Sequence, residues 1–255
     1  MRQDERVAFD RALDRARRAA YPPGEYVEQE SFMRASEIRE LAVRAGIARG
    51  VSVLDLCCGV AGPGRFLTRE LGGTYLGVDS SSSAVAIAQE RAAGLSCRFE
   101  VSQIPPLPDG RFDVVLLLET LLAFADKEAL LHEIGSALPV GGRFAFTLEE
   151  GQPLTETERG DMPDPDTVWL LSLPDLHALL ERAGFGVTWL EERSQEHLEM
   201  VDALTEAYAA DREAIAGEVG DRAVDELLAA HRLWRAWLRD GRVRKFACVA
   251  QKRSN

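Results

Sequence analysis

Positive charge is what this chain is short of. Its 30 Lys and Arg stand against 42 Asp and Glu, a formal net charge of −12 over 255 residues. Non-specific nucleic-acid binding and docking on anionic lipid both need a cationic face, so the balance argues against nucleic-acid and membrane partners. No apolar run reaches the roughly 18 residues of a membrane-spanning helix. The opening MRQDERVAFDRALDRARRAA is charged throughout and has no apolar signal-peptide core. A cytoplasmic protein is expected. Cysteine is scarce as well: Cys57, Cys58, Cys97 and Cys248 each sit in or beside an apolar, strand-like run. Neither CxxC spacing nor a Cys/His cluster occurs, so buried reduced thiols and metal-independent chemistry are expected. Internal repeats and low-complexity tracts are also missing.

What is present is a hydrophobic fraction of 46%, that of an ordinary globular protein, in a chain long enough for one α/β domain with a full core. The first fifty residues read as helices. Apolar positions fall at helical spacing from Val7 to Ala20, and Tyr21-Pro22-Pro23-Gly24 breaks the pattern. A second helix is expected from about Phe32 to Ala48. From residue 51 strands and helices alternate: VSVLDL, RFLTREL, TYLGVD, SSSAVAIAQERAA, CRFEV, FDVVLLL, DKEALLHEIGSAL, GGRFAFTLE. That order predicts right-handed crossovers and a parallel sheet covered on both faces. A polar stretch follows Glu150, long enough to be a lid or substrate loop. Then come a helix, the strand GFGVTWLEE, a helical section broken near Gly217 and Gly220, and the strand-like RVRKFACVAQK. The expected organisation is a helical cover over 1–50, a nucleoside-binding core over 51–151 and a loop over 152–171. Residues 172–255 complete the core, with a helical insertion at about 194–240.

The segment Val53-Leu-Asp-Leu-Cys-Cys-Gly-Val-Ala-Gly-Pro-Gly64 carries the most chemical information. It follows a strand and opens a helix, the context in which small residues let backbone approach a ligand at a helix N-terminus. A second strand ends in Asp79, and a carboxylate there can accept both hydroxyls of a ribose. Together these predict a nucleoside-binding α/β domain. The loop does not follow G-x-G-x-x-G, which sets it apart from a dehydrogenase.

On these residues the chain resembles the class I S-adenosylmethionine-dependent methyltransferases, closely over about 50–151 and loosely over 172–252. VLDLCCGVAG resembles the family's first motif, with Asp55 at its acidic position, Gly59 at its central glycine, and Cys57 and Ala61 in place of flanking glycines, Gly62 following. Cysteine at 57 implies an ordinary backbone angle there. Asp79 matches the ribose-binding acid, and the resemblance puts the adenine near Ser80 and Gln103. VSQIPPLPDG looks like the adenine loop, with Gln103 where Asp is common and Ile104 beside it. GGRFAFT resembles the fifth strand, and Val243–Lys252 the last one, which the family inserts antiparallel between strands five and six. The resemblance implies a Rossmann-like, doubly wound seven-stranded sheet. It also implies S-adenosyl-L-methionine as cofactor, S-adenosyl-L-homocysteine as product, and a small-molecule type akin to natural-product and glycine/sarcosine N-methyltransferases.

Methyl transfer from a sulfonium needs in-line alignment and exclusion of water, with a base only where the acceptor is protonated. N, O and C acceptors all stay open. Glu119 ends the fourth strand and should face the crevice, where the resemblance puts the methionine moiety. Glu149 and Glu150 end the fifth strand, and one of them is expected to face substrate. His197, just past the sixth strand, is the histidine best placed as a base. Tyr21 and Tyr26 flank the Pro-Pro-Gly break, and Tyr26 is a candidate for ligand contact. Among Glu149, Glu150, Glu156, Glu158, Asp161, Asp164 and Asp166 stands one arginine, Arg159. Such a loop reads either as a lid favouring an amine-bearing acceptor or as a solvated segment of an acidic protein. His231 with Trp234 and Trp237 reads as helix packing rather than an aromatic cage. A methyltransferase-fold enzyme catalysing cyclisation or elimination, and an RNA or protein methyltransferase, remain as alternatives.

Overall fold

A computed structural model describes residues 3–162 and 165–254. The elements are α1 (Gln3–Ala20), α2 (Ala35–Arg44), β1 (Ser52–Leu56), α3 (Gly62–Leu71), β2 (Thr74–Asp79) and α4 (Ser82–Arg91). They continue with β3 (Cys97–Val101), β4 (Val114–Leu117), α5 (Lys127–Ala137), β5 (Arg143–Glu150), α6 (Glu156–Gly160) and α7 (Leu173–Arg182). The chain ends through β6 (Phe185–Glu192), α8 (Ser194–Ala210), α9 (Arg212–Val219), α10 (Asp221–Arg239) and β7 (Arg244–Lys252).

The seven strands run β3-β2-β1-β4-β5-β7-β6. The β1–β2, β1–β4, β2–β3 and β4–β5 pairs are parallel, and β7 is antiparallel to both β5 and β6. Period-two alternation divides the strand side chains between two apolar layers. Leu54, Leu56, Val115 and Leu117 pack with Leu130 and Leu131 of α5, Leu180 of α7 and the stacked Phe144 and Phe146. Val53, Val114, Leu116 and Ala145 face the other way, onto Leu41 of α2, Leu67 of α3 and Val85 of α4. All four residues of β4 are buried, as a central strand covered on both faces requires.

A separate helical core joins the two ends of the chain. Leu13 of α1 meets Met200, Leu204 and Tyr208 of α8, Ile215 of α9 and Leu228 of α10. Strand order reverses between β1 and β4, so their carboxyl ends open a crevice, and this helical core stands over it.

Several boundaries differ from the periodicity. The second helix starts at Ala35 rather than Phe32, because Glu37 accepts from the backbone N–H of Arg34 at 2.8 Å and caps the turn there. The long helical section breaks at Asp211 and Gly220, and Gly217 stays inside α9. The polar stretch after β5 holds a short helix, α6, started by a capping box between Thr155 and Glu158. The four cysteines are free thiols; Cys58 and Cys248 are buried, Cys57 and Cys97 half-buried. Among the described residues, no helix is long and apolar enough to cross a membrane and no group of His, Cys, Asp or Glu could hold a metal ion.

Candidate functional site

Two cavities meet at the carboxyl edge of the sheet. The first, of about 250 Å³, lies between the β1–α3 turn, the end of β2 and the residues after β4. The second, of about 330 Å³, lies under α1, α8 and α10. Gln29, Glu30, Ser31 and Glu119 line both, so the two share one wall.

The sheet-end cavity is made mostly of backbone. Between β1 and α3 the chain passes through left-handed conformations at Cys57 (φ 57°), Gly59 (φ 54°) and Ala61 (φ 57°). The ordinary angle expected at Cys57 is therefore wrong. The turn must swing from strand to helix within five residues, and it takes this conformation at Cys57 and Ala61 at a cost of roughly 1–2 kcal/mol each. Asp79 holds the turn: its Oδ2 accepts from Gly59 N–H at 2.9 Å and its Oδ1 from Ser81 N–H at 2.8 Å. A carboxylate offers about four acceptor sites, so capacity remains for the two hydroxyls of a ribose. A Cβ on Gly62 would fall 2.3 Å from the carbonyl oxygen of Val27. Only glycine lets the segment before α2 close over this turn. Asp55 is buried on the floor, and burial, with Asp79 nearby, pushes its carboxyl well above the usual range. Burial likewise pushes the Cys57 thiol up to about 12, with Asp79 and Asp55 adding to it.

The shared wall carries the charged centre. Glu119, at the end of β4, has φ 59° and is nearly buried. Its N–H donates to Thr147 Oγ1 at 2.6 Å, and its Oε2 accepts from Phe32 N–H at 3.1 Å. Lys245 Nζ stands 2.5 Å from Glu119 Oε1 and also pairs with Glu149 Oε1. The β5–β7 register sets Glu149 directly opposite Lys245. Burial lowers the Lys245 pKa, but the two carboxylates more than offset it and the net shift is upward. Burial raises the Glu119 pKa, yet Lys245 and His197 hold it below the usual value. The other oxygen of Glu149, Oε2, is buried without a hydrogen-bond partner.

The helical cavity is apolar and aromatic above this floor, with Tyr21, Phe32, Leu204, Tyr208 and Trp234 on its walls. Arg17 enters from α1, its Nε donating to the Tyr208 hydroxyl at 3.2 Å, with Glu30 at 3.7 Å. His231 Nδ1 lies 2.8 Å from the Leu227 carbonyl oxygen. A carbonyl only accepts, so Nδ1 carries the proton and Nε2 the lone pair. Burial lowers the His231 pKa, the Leu227 carbonyl opposing and Arg17 reinforcing it. The ring is neutral, with Phe32 and Tyr208 in edge contact at 5.7 and 5.1 Å.

Of the residues anticipated from sequence, Asp55, Cys57, Gly59, Ala61, Gly62, Asp79 and Glu119 all line the sheet-end cavity. Ser80 is exposed and does not; Ser81, drawn inward to cap α4 through Ala84 N–H, takes its place. Gln103 and Ile104 do not line it either. They follow β3, the strand at the sheet's edge, and Gln103 faces solvent. Glu149 lines the helical cavity. His197 lies behind Glu119 rather than in either cavity, with Nδ1 3.6 Å from Glu119 Oε1 and Nε2 3.5 Å from Glu37 Oε1. Tyr26 is also outside, its hydroxyl donating to Asp14 Oδ1 at 3.1 Å, while the neighbouring Tyr21 lines the cavity. Trp237 is buried in an apolar cluster with Trp234 packed against it, as the packing reading has it, while His231 and Trp234 also line the helical cavity. In the acidic loop, Glu150 pairs with Arg244 and Glu158 with Arg242. Glu156, Asp161 and Asp166 are exposed, and Asp164 lies outside the described residues.

Sequence reading missed Lys245, Arg17, Gln29, Glu30 and Ser31. The buried Gln29 pins the segment between α1 and α2. Its Nε2 donates to the carbonyls of Glu25 and Met33, both at 2.8 Å, and its Oε1 accepts from Val27 N–H at 2.6 Å. A glutamine between two glutamates carries no local mark of that role.

Residues 53–142 match the family model described as a methyltransferase domain. Phosphoethanolamine N-methyltransferase 1 of Zea mays is 25% identical over 219 residues, covering 80% of this chain and 41% of that protein. The chain thus spans about two fifths of the length of this curated relative. Among solved structures, the mycolic acid cyclopropane synthase CmaA1, complexed with SAH and CTAB, has a TM-score of 0.81 at 17% identity, covering 98% of this chain and 95% of that one. The [4+2]-cyclase SpnF has a TM-score of 0.74 at 22% identity, covering 98% and 97%. The seven-stranded sheet with its antiparallel β7 is the class I methyltransferase fold.

Proposed function

We propose that the chain, whose residues 53–142 match a methyltransferase-domain model, is an S-adenosylmethionine-dependent methyltransferase that methylates a small-molecule, amine-bearing acceptor held in the helical cavity. The observation that carries this reading is the shared wall: the sheet-end cavity and the helical cavity meet at Glu119 and the Gln29–Ser31 segment. When bound, S-adenosylmethionine supplies an electrophilic methyl group, which the acceptor's lone pair takes in line as the carbon–sulfur bond breaks and sulfur keeps the electrons. Asp79 would hold the ribose hydroxyls, and the Gly59–Gly62 backbone would underlie the methionine end. The segment pinned by Gln29 and the rings of Tyr21 and Phe32 close the junction and exclude water, which favours transfer to the acceptor over side reactions.

An alkylamine enters as an ammonium and must shed one proton before its lone pair exists. His231, neutral and with its lone pair on Nε2, is a wall residue able to take that proton. Arg17, Tyr208 and Phe32 are the groups packed against it, and none of them competes as a base at neutral pH.

Calorimetry with S-adenosylhomocysteine tests the cofactor half. The unaltered chain should bind it, and Asp79→Ala should bind at least roughly tenfold more weakly with a thermal midpoint within a few degrees. Unchanged affinity would mean that the ribose is held elsewhere. The similarity in fold to a [4+2]-cyclase makes a non-methylating reaction the alternative. Release of S-adenosylhomocysteine on turnover with an amine acceptor separates the two, since a cyclisation consumes no methyl donor.

A further inference from the structure

We propose that the acceptor is a lipophilic amine without a phosphate or carboxylate group, its nitrogen seated against Glu149; this rests on the methyltransferase reading above. Glu149 is 4% exposed, lines the helical cavity and has Oε1 on Lys245, while Oε2 is buried with no partner. A buried carboxylate oxygen without a donor costs on the order of 1–3 kcal/mol. An N–H from a bound ligand removes that cost, and a cationic one does so most strongly.

The rest of the wall argues against an anion. Its formal charges are Arg17 and Lys245 against Glu30, Glu119 and Glu149, which leaves the cavity at −1. Both cations already face acids: Arg17 lies beside Glu30, and Lys245 between Glu119 and Glu149. A phosphate or carboxylate drawn to Lys245 would have to pull it from Glu149, leaving a buried carboxylate unpaired at several kcal/mol, and one drawn to Arg17 would meet Glu30. Above the charged floor, Tyr21, Leu204, Tyr208, Leu227, Trp234 and Leu238 offer aromatic and aliphatic surface and no further formal charge. At about 330 Å³ the cavity is at the small end of ligand pockets, roughly 300–1,000 Å³. That suits a single ring or short chain. The polar floor and apolar walls match a molecule with one cationic end and one hydrocarbon end.

The test is calorimetry on the full chain saturated with S-adenosylhomocysteine, with octylamine, octan-1-ol, octanoate and phosphoethanolamine as probes. Octylamine should bind at least roughly tenfold more tightly than octan-1-ol, and octanoate and phosphoethanolamine should give no measurable binding. Glu149→Gln should weaken octylamine by about tenfold and leave S-adenosylhomocysteine affinity within about twofold. Trp234→Arg, which adds a cation to the wall without touching the floor, should reject octylamine and admit octanoate. Phosphoethanolamine or octanoate binding as tightly as octylamine would overturn the proposal. So would octylamine affinity unchanged in both variants. A chain that fails to bind S-adenosylhomocysteine at all would instead sink the methyltransferase reading, whatever the amine does.

Discussion

The two cavities share a wall but are built in opposite ways. The sheet-end cavity is drawn from short stretches of chain: one turn of backbone, the acid at the end of β2, the residues after β4 and the Glu28–Ser31 segment closing over them. Its shape comes from backbone angles and small residues, and its chemistry from single carboxylates. The helical cavity is assembled from side chains of α1, α8, α10, β5 and β7, which lie more than two hundred residues apart at the extremes, from Arg17 to Lys245. Its polar floor exists because three buried charged groups meet at Lys245. The lesson is that a backbone-lined cavity can be shaped by short stretches of chain, whereas a buried cluster of charges depends on the whole chain being folded.

The largest expected effect strikes the floor of the helical cavity. Lys245→Met leaves Glu119 and Glu149 buried without their cation and should cost roughly 3–5 kcal/mol by denaturant unfolding. Adding Glu149→Gln to that variant should recover part of the loss by removing one of the stranded charges. If Lys245→Met is tolerated at neutral pH, the floor is not the long-range charge assembly described here.

An intermediate effect concerns Asp55, the buried acid of the sheet-end cavity. Its folded pKa is raised by burial and by Asp79, so the fold holds its proton to higher pH than the unfolded chain does. Above the unfolded value of about 3.9 the unfolded chain binds fewer protons, and stability falls as pH rises toward the folded pKa. Asp55→Asn should remove that decline and gain roughly 1–3 kcal/mol at neutral pH. Unfolding curves at pH 4 and pH 7 check it, and an equal pH response in both proteins would contradict the burial argument.

The smallest effect belongs to the turn. Cys57→Gly relieves a left-handed residue and should stabilise the chain by up to about 1 kcal/mol, with S-adenosylhomocysteine binding retained. A loss of stability would show that the Cys57 side chain contributes more by packing than its conformation costs.

The same contrast governs what could be read in advance. Strand, Gly-rich turn and Asp79 lie within thirty residues, and each residue type states its local requirement, so this half was legible. Glu119 and Glu149 were legible as strand ends, because carboxyl ends of strands face the crevice in a doubly wound sheet. Lys245 was not. In RVRKFACVA it looks like one more charge on a solvated strand, and only the antiparallel register of β7 against β5 sets it beside Glu149. Arg17 likewise reads as one of several arginines on a charged helix until α8 packs across it. The place of His231 on the cavity wall was hidden for a related reason. Its spacing with Trp234 and Trp237 describes one helix face and says nothing of what that face meets.

By itself, then, the amino-acid sequence determined a parallel α/β sheet, a Gly-rich strand-to-helix turn and the strand-end acids, because hydrophobic period and turn chemistry act over a few neighbouring residues. The tertiary structure alone decided which charges are buried together, which oxygen of Glu149 lacks a partner, and that His231 rather than His197 faces the helical cavity. Burial and pairing of charge depend on separations of a few ångströms between residues that are neighbours only after the chain has folded.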